Sequence, residues 1–148
     1  MELMPIGLSK ILWVTVGLPR SGKSSWAQSM GGVPIVCPDA IRLALHGERF
    51  IARAEPFVWA IAQVMVMALF RAGHQEVIVD ATNTTRARRA MWVKPTEWET
   101  RWKLFHDPAI VCRNRALQVF DTELAEVIDR MAKGYEPVAI EIEGGVLA

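Results

Sequence analysis

Eight consecutive residues, Gly17-Leu18-Pro19-Arg20-Ser21-Gly22-Lys23-Ser24, fit the pattern G-x-x-x-x-G-K-S/T in full. Glycines let a backbone curl until successive N–H groups point into one cavity, where they and a helix N-terminus hold phosphate oxygens. Lys23 supplies a mobile charge for the β- and γ-phosphates, and the Ser24 hydroxyl suits Mg²⁺. With Ser25 leading into the helix, the stretch reads as a binding site for ATP and Mg²⁺. A second segment, Val77-Ile78-Val79-Asp80, sets a carboxylate at the end of an apolar run, where it can hold the metal or its waters. The alternative role for Asp80 is a turn cap near Thr82 or Asn83. No neighbouring acid suits the activation of water, and no NKxD-type guanine-reading motif occurs, which argues against a motor or a GTPase switch.

These residues must be held by strands and helices that alternate. Ile11 to Val16 is an apolar run ending at Gly17, the pattern of a strand buried on both faces. Residues 23–30 suit a helix, and Val33 to Cys37 suits a second strand. Asp39 can cap a helix that runs to His46 and stops at Gly47. Glu55 to Gly73 suits a long helix with Pro56 in its first turn. Val77 to Asp80 is a third strand, Thr84 or Thr85 starts a helix through Trp92, and Trp102 to Phe105 is a fourth strand. Helices follow near 108–118 and 122–133. Alternation of this kind predicts an α/β three-layer fold: a short parallel sheet of about four strands with helices on both faces.

The 148 residues suit a single domain, with no repeat, low-complexity tract or Gly/Ser linker. Apolar residues make up 51% and charged residues 22%, which excludes a disordered or collagen-like chain. Cys37 and Cys112 sit in no metal-binding spacing and read as buried, reduced thiols in a cytoplasmic protein. The start carries an acid at Glu2 and no signal-peptide layout. The run Phe57 to Phe70 is 14 residues, shorter than a membrane span, so no membrane role is expected. The net charge of +1 hides a division: residues 86–115 hold eight bases and three acids, while Asp121 onward holds seven acids and two bases. That split suggests a basic face turned to an anion, or solvated helix faces that balance by accident. Trp92, Trp98 and Trp102 lie in the basic stretch, where core packing competes with stacking on a base.

Taken in order, five blocks resemble the small P-loop kinases related to the phage 5′-hydroxyl polynucleotide kinases. They are residues 17–27, Pro38-Asp39-Ala40-Ile41-Arg42, Val77 to Asn83 leading to Arg88-Arg89, Arg113-Asn114, and Gly134-Tyr135-Glu136-Pro137. The resemblance runs from Leu12 to Gly145 and implies one P-loop kinase domain over residues 1–148, with a lid near 108–120 and a nucleotide-side tail near 134–148. It implies Asp39 as general base, a role compatible with capping the helix. Arg42 is implied as a contact to the acceptor's phosphate, with Asp80, Asn83 and Arg86 completing the acceptor side. Arg113 or Arg115 is implied as the lid arginine, Arg113 being preferred, and Tyr135 and Pro137 as neighbours of the adenine. The sequence departs from the family pattern in two places. Leu117 and Gln118 stand where a further lid arginine is expected, and Arg20 stands where glycine is common.

The chemistry implied is transfer of a γ-phosphoryl group to a hydroxyl. The leading acceptor is the 5′-hydroxyl end of a nucleic acid, DNA before RNA. The alternatives are a hydroxymethyl group on a modified base such as 5-hydroxymethyluracil in phage DNA, a small molecule (nucleoside, sugar or antibiotic), and a nucleotide switch without kinase activity.

Overall fold

The computed structural model describes residues 10–148, so the opening segment discussed above for its lack of a signal sequence lies outside the described residues. The apolar run becomes strand β1 (Ile11–Val16), and alternation along it sends Leu12, Val14 and Val16, all at zero exposure, to one face of the sheet. The other strands are β2 (Ile35–Val36), β3 (Glu76–Val79), β4 (Glu99–Leu104) and β5 (Val146–Leu147). They form one sheet in the order β2-β3-β1-β4-β5, with every pair parallel. The expected sheet of about four strands therefore gains a short fifth from the chain's tail. The fourth strand also starts at Glu99, three residues before the expected Trp102. Pairing with β1 begins at Ile11 opposite Glu99, so the polar start of β4 is fixed by its neighbour and not by an apolar run of its own.

Among the described residues, seven α-helices join the strands: α1 (Lys23–Ser29), α2 (Pro38–His46), α3 (Glu55–Arg71), α4 (Arg86–Ala90), α5 (Ala109–Gln118), α6 (Thr122–Lys133) and α7 (Ile140–Glu143). The main core lies under α3, whose Val58, Trp59, Ala62, Val66 and Phe70 pack on the strands and on Trp92, Trp98 and Trp102. The last three are at most 3% exposed, so they are core and none is open to a base. With the 3₁₀ turn before it, α3 forms a 20-residue helical stretch, Ala52–Arg71, that by length and composition alone could cross a membrane. It exceeds the apolar run visible in the sequence, and its inner side floors the core while Phe57 and Val64 are exposed. A second, smaller core joins α5 to α6 through Cys112, Ala116, Ala125 and Ile128, and Leu18 of the phosphate loop is part of it. Cys112 is thus buried as expected, whereas Cys37 is only half-buried.

Asp39 does not cap α2. Cys37 holds the cap position without a side-chain bond, Pro38 opens the helix, and Asp39 lies in the first turn, where its charge complements the helix dipole. Gly47 ends the helix in a left-handed conformation (φ 76°), as its position suggests. The division of charge is also resolved differently from either expectation. The acidic tail neutralises part of the basic stretch: Arg89 and Arg86 reach Glu143, at 2.6 and 4.0 Å, and Arg113 reaches Asp129 at 3.2 Å. Arg101 and Arg115 pair with Glu99 and Asp107 inside the stretch itself.

Arg89 has zero exposure. Its guanidinium donates to both carboxylate oxygens of Glu143, at 2.6 and 3.2 Å, and to the carbonyls of Asn83 and Pro137. Burial alone would raise the Glu143 carboxyl, but the bonds from Arg89 and from the Ala139 N–H outweigh it and hold the group below its ordinary 4.5. A depressed carboxyl contributes stability above its unfolded pKa and loses it as pH falls through the folded value. Glu143→Gln leaves a buried guanidinium without its counter-charge, and unfolding in urea should show a loss of about 3–5 kcal/mol at neutral pH. The difference between wild type and variant should shrink on acidification below about 4.5. Equal urea midpoints at pH 7 would show that the pair is not structural.

Candidate active site

The phosphate loop leaves β1 at the carboxyl edge of the sheet. Gly17 is required there, because a Cβ would lie 2.8 Å from Ser21 Oγ and 2.9 Å from Phe105 Cβ. Its N–H donates to the Thr82 carbonyl, which ties the loop to the segment after β3. Gly22 takes φ 99° and caps α1. Arg20 takes φ 66°, a conformation that costs a residue with a Cβ about 1–2 kcal/mol. The loop therefore keeps the turn that glycine would give, and the Arg20 carbonyl accepts a 2.8 Å bond from Arg115.

Lys23 is buried and donates to the Leu18 carbonyl at 2.5 Å and to Ser21 Oγ at 3.4 Å. Burial lowers the pKa of its ammonium, against the opposing charges of Asp80 first and Asp39 among the rest. Asp80 is aligned by backbone pairing, its N–H donating to the Val36 carbonyl at the end of β2. Its carboxylate accepts a 2.8 Å bond from the Ser24 hydroxyl. One hydroxyl and one carboxylate at that distance are hard oxygen donors, which fits Mg²⁺ completed by phosphate and water. Among the described residues no group of three or more His, Cys, Asp or Glu forms a cage for a metal. A pair of donors would suit a cation that takes its other ligands from a bound nucleotide. Ser25 is exposed on α1 and Pro19 is half-buried in the loop.

Across the same edge, Asp39 is open to solvent, its side chain 83% exposed, and it accepts a 2.7 Å bond from Arg42. Arg42 is also held by Glu55: Nε and Nη2 donate to its two carboxylate oxygens at 2.9 and 2.7 Å. Hydrogen bonds from Arg42 hold the Glu55 carboxyl below its usual range. Glu55, thirteen residues away at the start of α3, carries no motif of its own and was not apparent from the sequence.

The remaining candidates separate. Asn83 is 1% exposed and its amide is fully committed, donating to the Thr15 carbonyl and accepting from Trp92 Nε1. It shapes the loop after β3, at φ 45°, and its side chain does not reach an acceptor. Arg86 is half exposed beside Glu143. Arg113 faces Asp129 on α6, away from the loop, whereas Arg115 donates to both the Arg20 carbonyl and Asp107. Of the two, Arg115 is the arginine that α5 brings to the phosphate loop. Tyr135 lines a cavity of about 190 Å³ with Gly17, Leu18, Phe105, His106 and Asp107. Pro137 is exposed and contributes its carbonyl to Arg89.

The AAA domain family matches residues 12–138, and the chain belongs to it. Its structure superposes on a component of a Pnkp1/Rnl/Hen1 complex with a TM-score of 0.63 at 24% identity, over 73% of this chain and 39% of the other. A component of the Pnkp1/Rnl/Hen1 RNA repair complex gives 0.64 at 18% identity, over 88% and 48%. The chain thus spans less than half the length of these two. A gluconokinase from Sinorhizobium meliloti gives 0.59 at 18% identity, over 95% and 82%. At these identities the likeness is one of fold, the nucleotide-binding fold of P-loop kinases. Curated proteins supply no match.

Lys23→Ala should fold normally and lose ATP binding, because it removes the charge that meets the β- and γ-phosphates. In the wild type, affinity needs the protonated amine, and burial makes it easier to deprotonate. ATP affinity followed by calorimetry should therefore fall at alkaline pH with a midpoint below the ordinary 10.5. An affinity that stays flat through that value would remove the ammonium from nucleotide binding.

Proposed function

We propose that this protein is an ATP-dependent kinase that phosphorylates a hydroxyl of a nucleic acid, most simply the 5′-hydroxyl end of a DNA strand. The observation that carries this reading is an exposed carboxylate, Asp39, aimed by a guanidinium and set just past β2, the strand whose Val36 carbonyl also aligns Asp80. A base so placed can take the acceptor's proton while its oxygen attacks the γ-phosphorus in line. Lys23 exchanges the Leu18 carbonyl for phosphate oxygens, and Arg115 meets charge developing on the transferred group. Ser24 and Asp80 would hold Mg²⁺, which neutralises phosphate charge when bound. The nucleic-acid acceptor is supported by the ordered motif blocks and by the guanidinium groups gathered near Asp39.

Asp39→Asn keeps the shape but cannot take a proton. It should retain ATP affinity and lose at least about 10²-fold in turnover, the scale of general-base contributions. If it loses thermal stability alone, Asp39 serves only the helix.

Between the two lid arginines, Arg115→Ala should slow transfer by more than Arg113→Ala in single-turnover assays with ATP in excess. The opposite ranking would return the role to Arg113.

The acceptor is tested with three substrates. A 5′-hydroxyl oligonucleotide should be labelled at its terminus, with affinity that falls steeply as salt rises. A 5′-blocked oligonucleotide should not be labelled. A closed duplex circle containing 5-hydroxymethyluracil offers no end, so strong labelling of the circle alone would replace the end kinase with a base kinase.

A further inference from the structure

We propose that the outer face of α3 is the seat of a second copy of this chain, packed antiparallel about Val64. The proposal goes beyond the kinase reading and does not depend on it.

Between Glu55 and Arg71 the helix carries no charged residue. A helix on the surface of a globular domain usually turns a polar face to water, because only its inner stripe is covered. Here the inner stripe of Val58, Ala62, Val66 and Phe70 is buried, yet the residues turned outward are apolar as well. Phe57 and Val64 are each 66% exposed, and Met65 is 38% exposed. Of the apolar stretch within Ala52–Arg71, 28% is buried, too little for a helix wrapped in its own core. An apolar face of this kind marks a surface that another body covers.

The pattern on the face says which body. At about 100° per residue, Phe57, Ala60, Val64, Ala68 and Arg71 fall in one stripe, and all five are exposed. Their spacing is a palindrome centred on Val64. A twofold axis there sets Val64 on Val64, Ala60 on Ala68 and Phe57 on Arg71, with each unlike pair made twice, as an isologous interface requires. The pairs are complementary. The alanines allow close approach of the two helices, and Arg71, which has no ion pair among the described residues, meets the phenyl ring of the other copy in a cation–π contact. Parallel packing would instead set Arg71 against Arg71 and align the two helix dipoles.

Area and charge favour the same occupant. Weighted by exposure, the stripe and its flanks present roughly 600 Å², against about 800 Å² a side in a standard interface. Leu43 and Leu45, 61% and 49% exposed on the adjoining α2, extend the apolar surface. A helix that lies on a bilayer carries many lysines and arginines on its polar face, whereas α3 has Arg71 alone. Antiparallel packing also sends the two amino ends of α3 apart, so each Glu55, with the Arg42 and Asp39 it supports, stays at an open end.

Sedimentation velocity of the full chain over the micromolar range tests the surface. Wild type should sediment as twice the 16.6 kDa chain. Val64→Glu brings two like charges together at the axis and should weaken the dimer at least about 100-fold. Val64 is exposed and glutamate favours a helix, so this variant should fold and keep the ATP affinity of wild type. Arg71→Ala removes two cation–π contacts and should weaken the dimer about tenfold. Orientation is read by oxidative cross-linking, with wild type as the blank for Cys37 and Cys112. A mixture of Phe57→Cys and Arg71→Cys chains should cross-link, whereas Phe57→Cys alone should not. A wild type that stays monomeric, or a dimer that survives Val64→Glu, overturns the proposal. Cross-linking of Phe57→Cys with itself overturns the antiparallel register. Wild-type monomer that binds vesicles of phosphatidylcholine and phosphatidylglycerol, and loses that binding in Val64→Glu, gives the face to lipid and overturns the second copy.

Discussion

A guanidinium at zero exposure must find partners for its three nitrogens, and Arg89 does so by drawing three parts of the chain to one point. It takes the carbonyl of Asn83 from the loop after β3, the carbonyl of Pro137 from the tail, and the carboxylate of Glu143 from α7. Once the tail is anchored there, Gly144 lies where its carbonyl accepts from Trp102 Nε1, and β5 joins the edge of β4. The loop after β3 is set at the same time: Asn83 bonds to Thr15 and Trp92, and the Thr82 carbonyl receives Gly17. The phosphate loop is thus tied, through the segment after β3, to a buried charge pair.

The fold was legible because burial leaves periodic marks. Apolar runs at β1 and β3, the turn chemistry at Gly47 and the helix after Thr85 all follow from local pattern. The departures come where pattern is absent. β2 and β5 have two residues each, and β4 opens with Glu99, Thr100 and Arg101, which pair because β1 lies alongside. The site divides in the same manner. The loop from Gly17 to Ser24 and the acid at Asp80 carry their chemistry in contiguous residues, and the Ser24–Asp80 bond joins them as the motifs suggest.

What was not legible was pairing. A sequence shows eight bases in residues 86–115 but not which of them another segment neutralises. Glu143 lies 54 residues from Arg89, and nothing local marks it as a partner. Arg113 and Arg115 sit two positions apart on α5, so they point to different sides of the helix; one meets α6 and the other meets the phosphate loop. Asn83 sits in a functional block yet spends its amide on the backbone. The three core tryptophans look available beside so many bases, but a parallel sheet covered by α3 needs large apolar volume at that layer.

The resting bond between Lys23 and the Leu18 carbonyl bears on binding. A loop whose lysine is held by its own backbone keeps its shape before any phosphate arrives. A phosphate oxygen that took the place of that carbonyl would give the ammonium a new partner of the same kind. A loop already ordered has less conformational freedom left to lose on binding. Leu18 also belongs to the small core between α5 and α6. The seat of the loop is thereby tied to the packing of that helical hairpin.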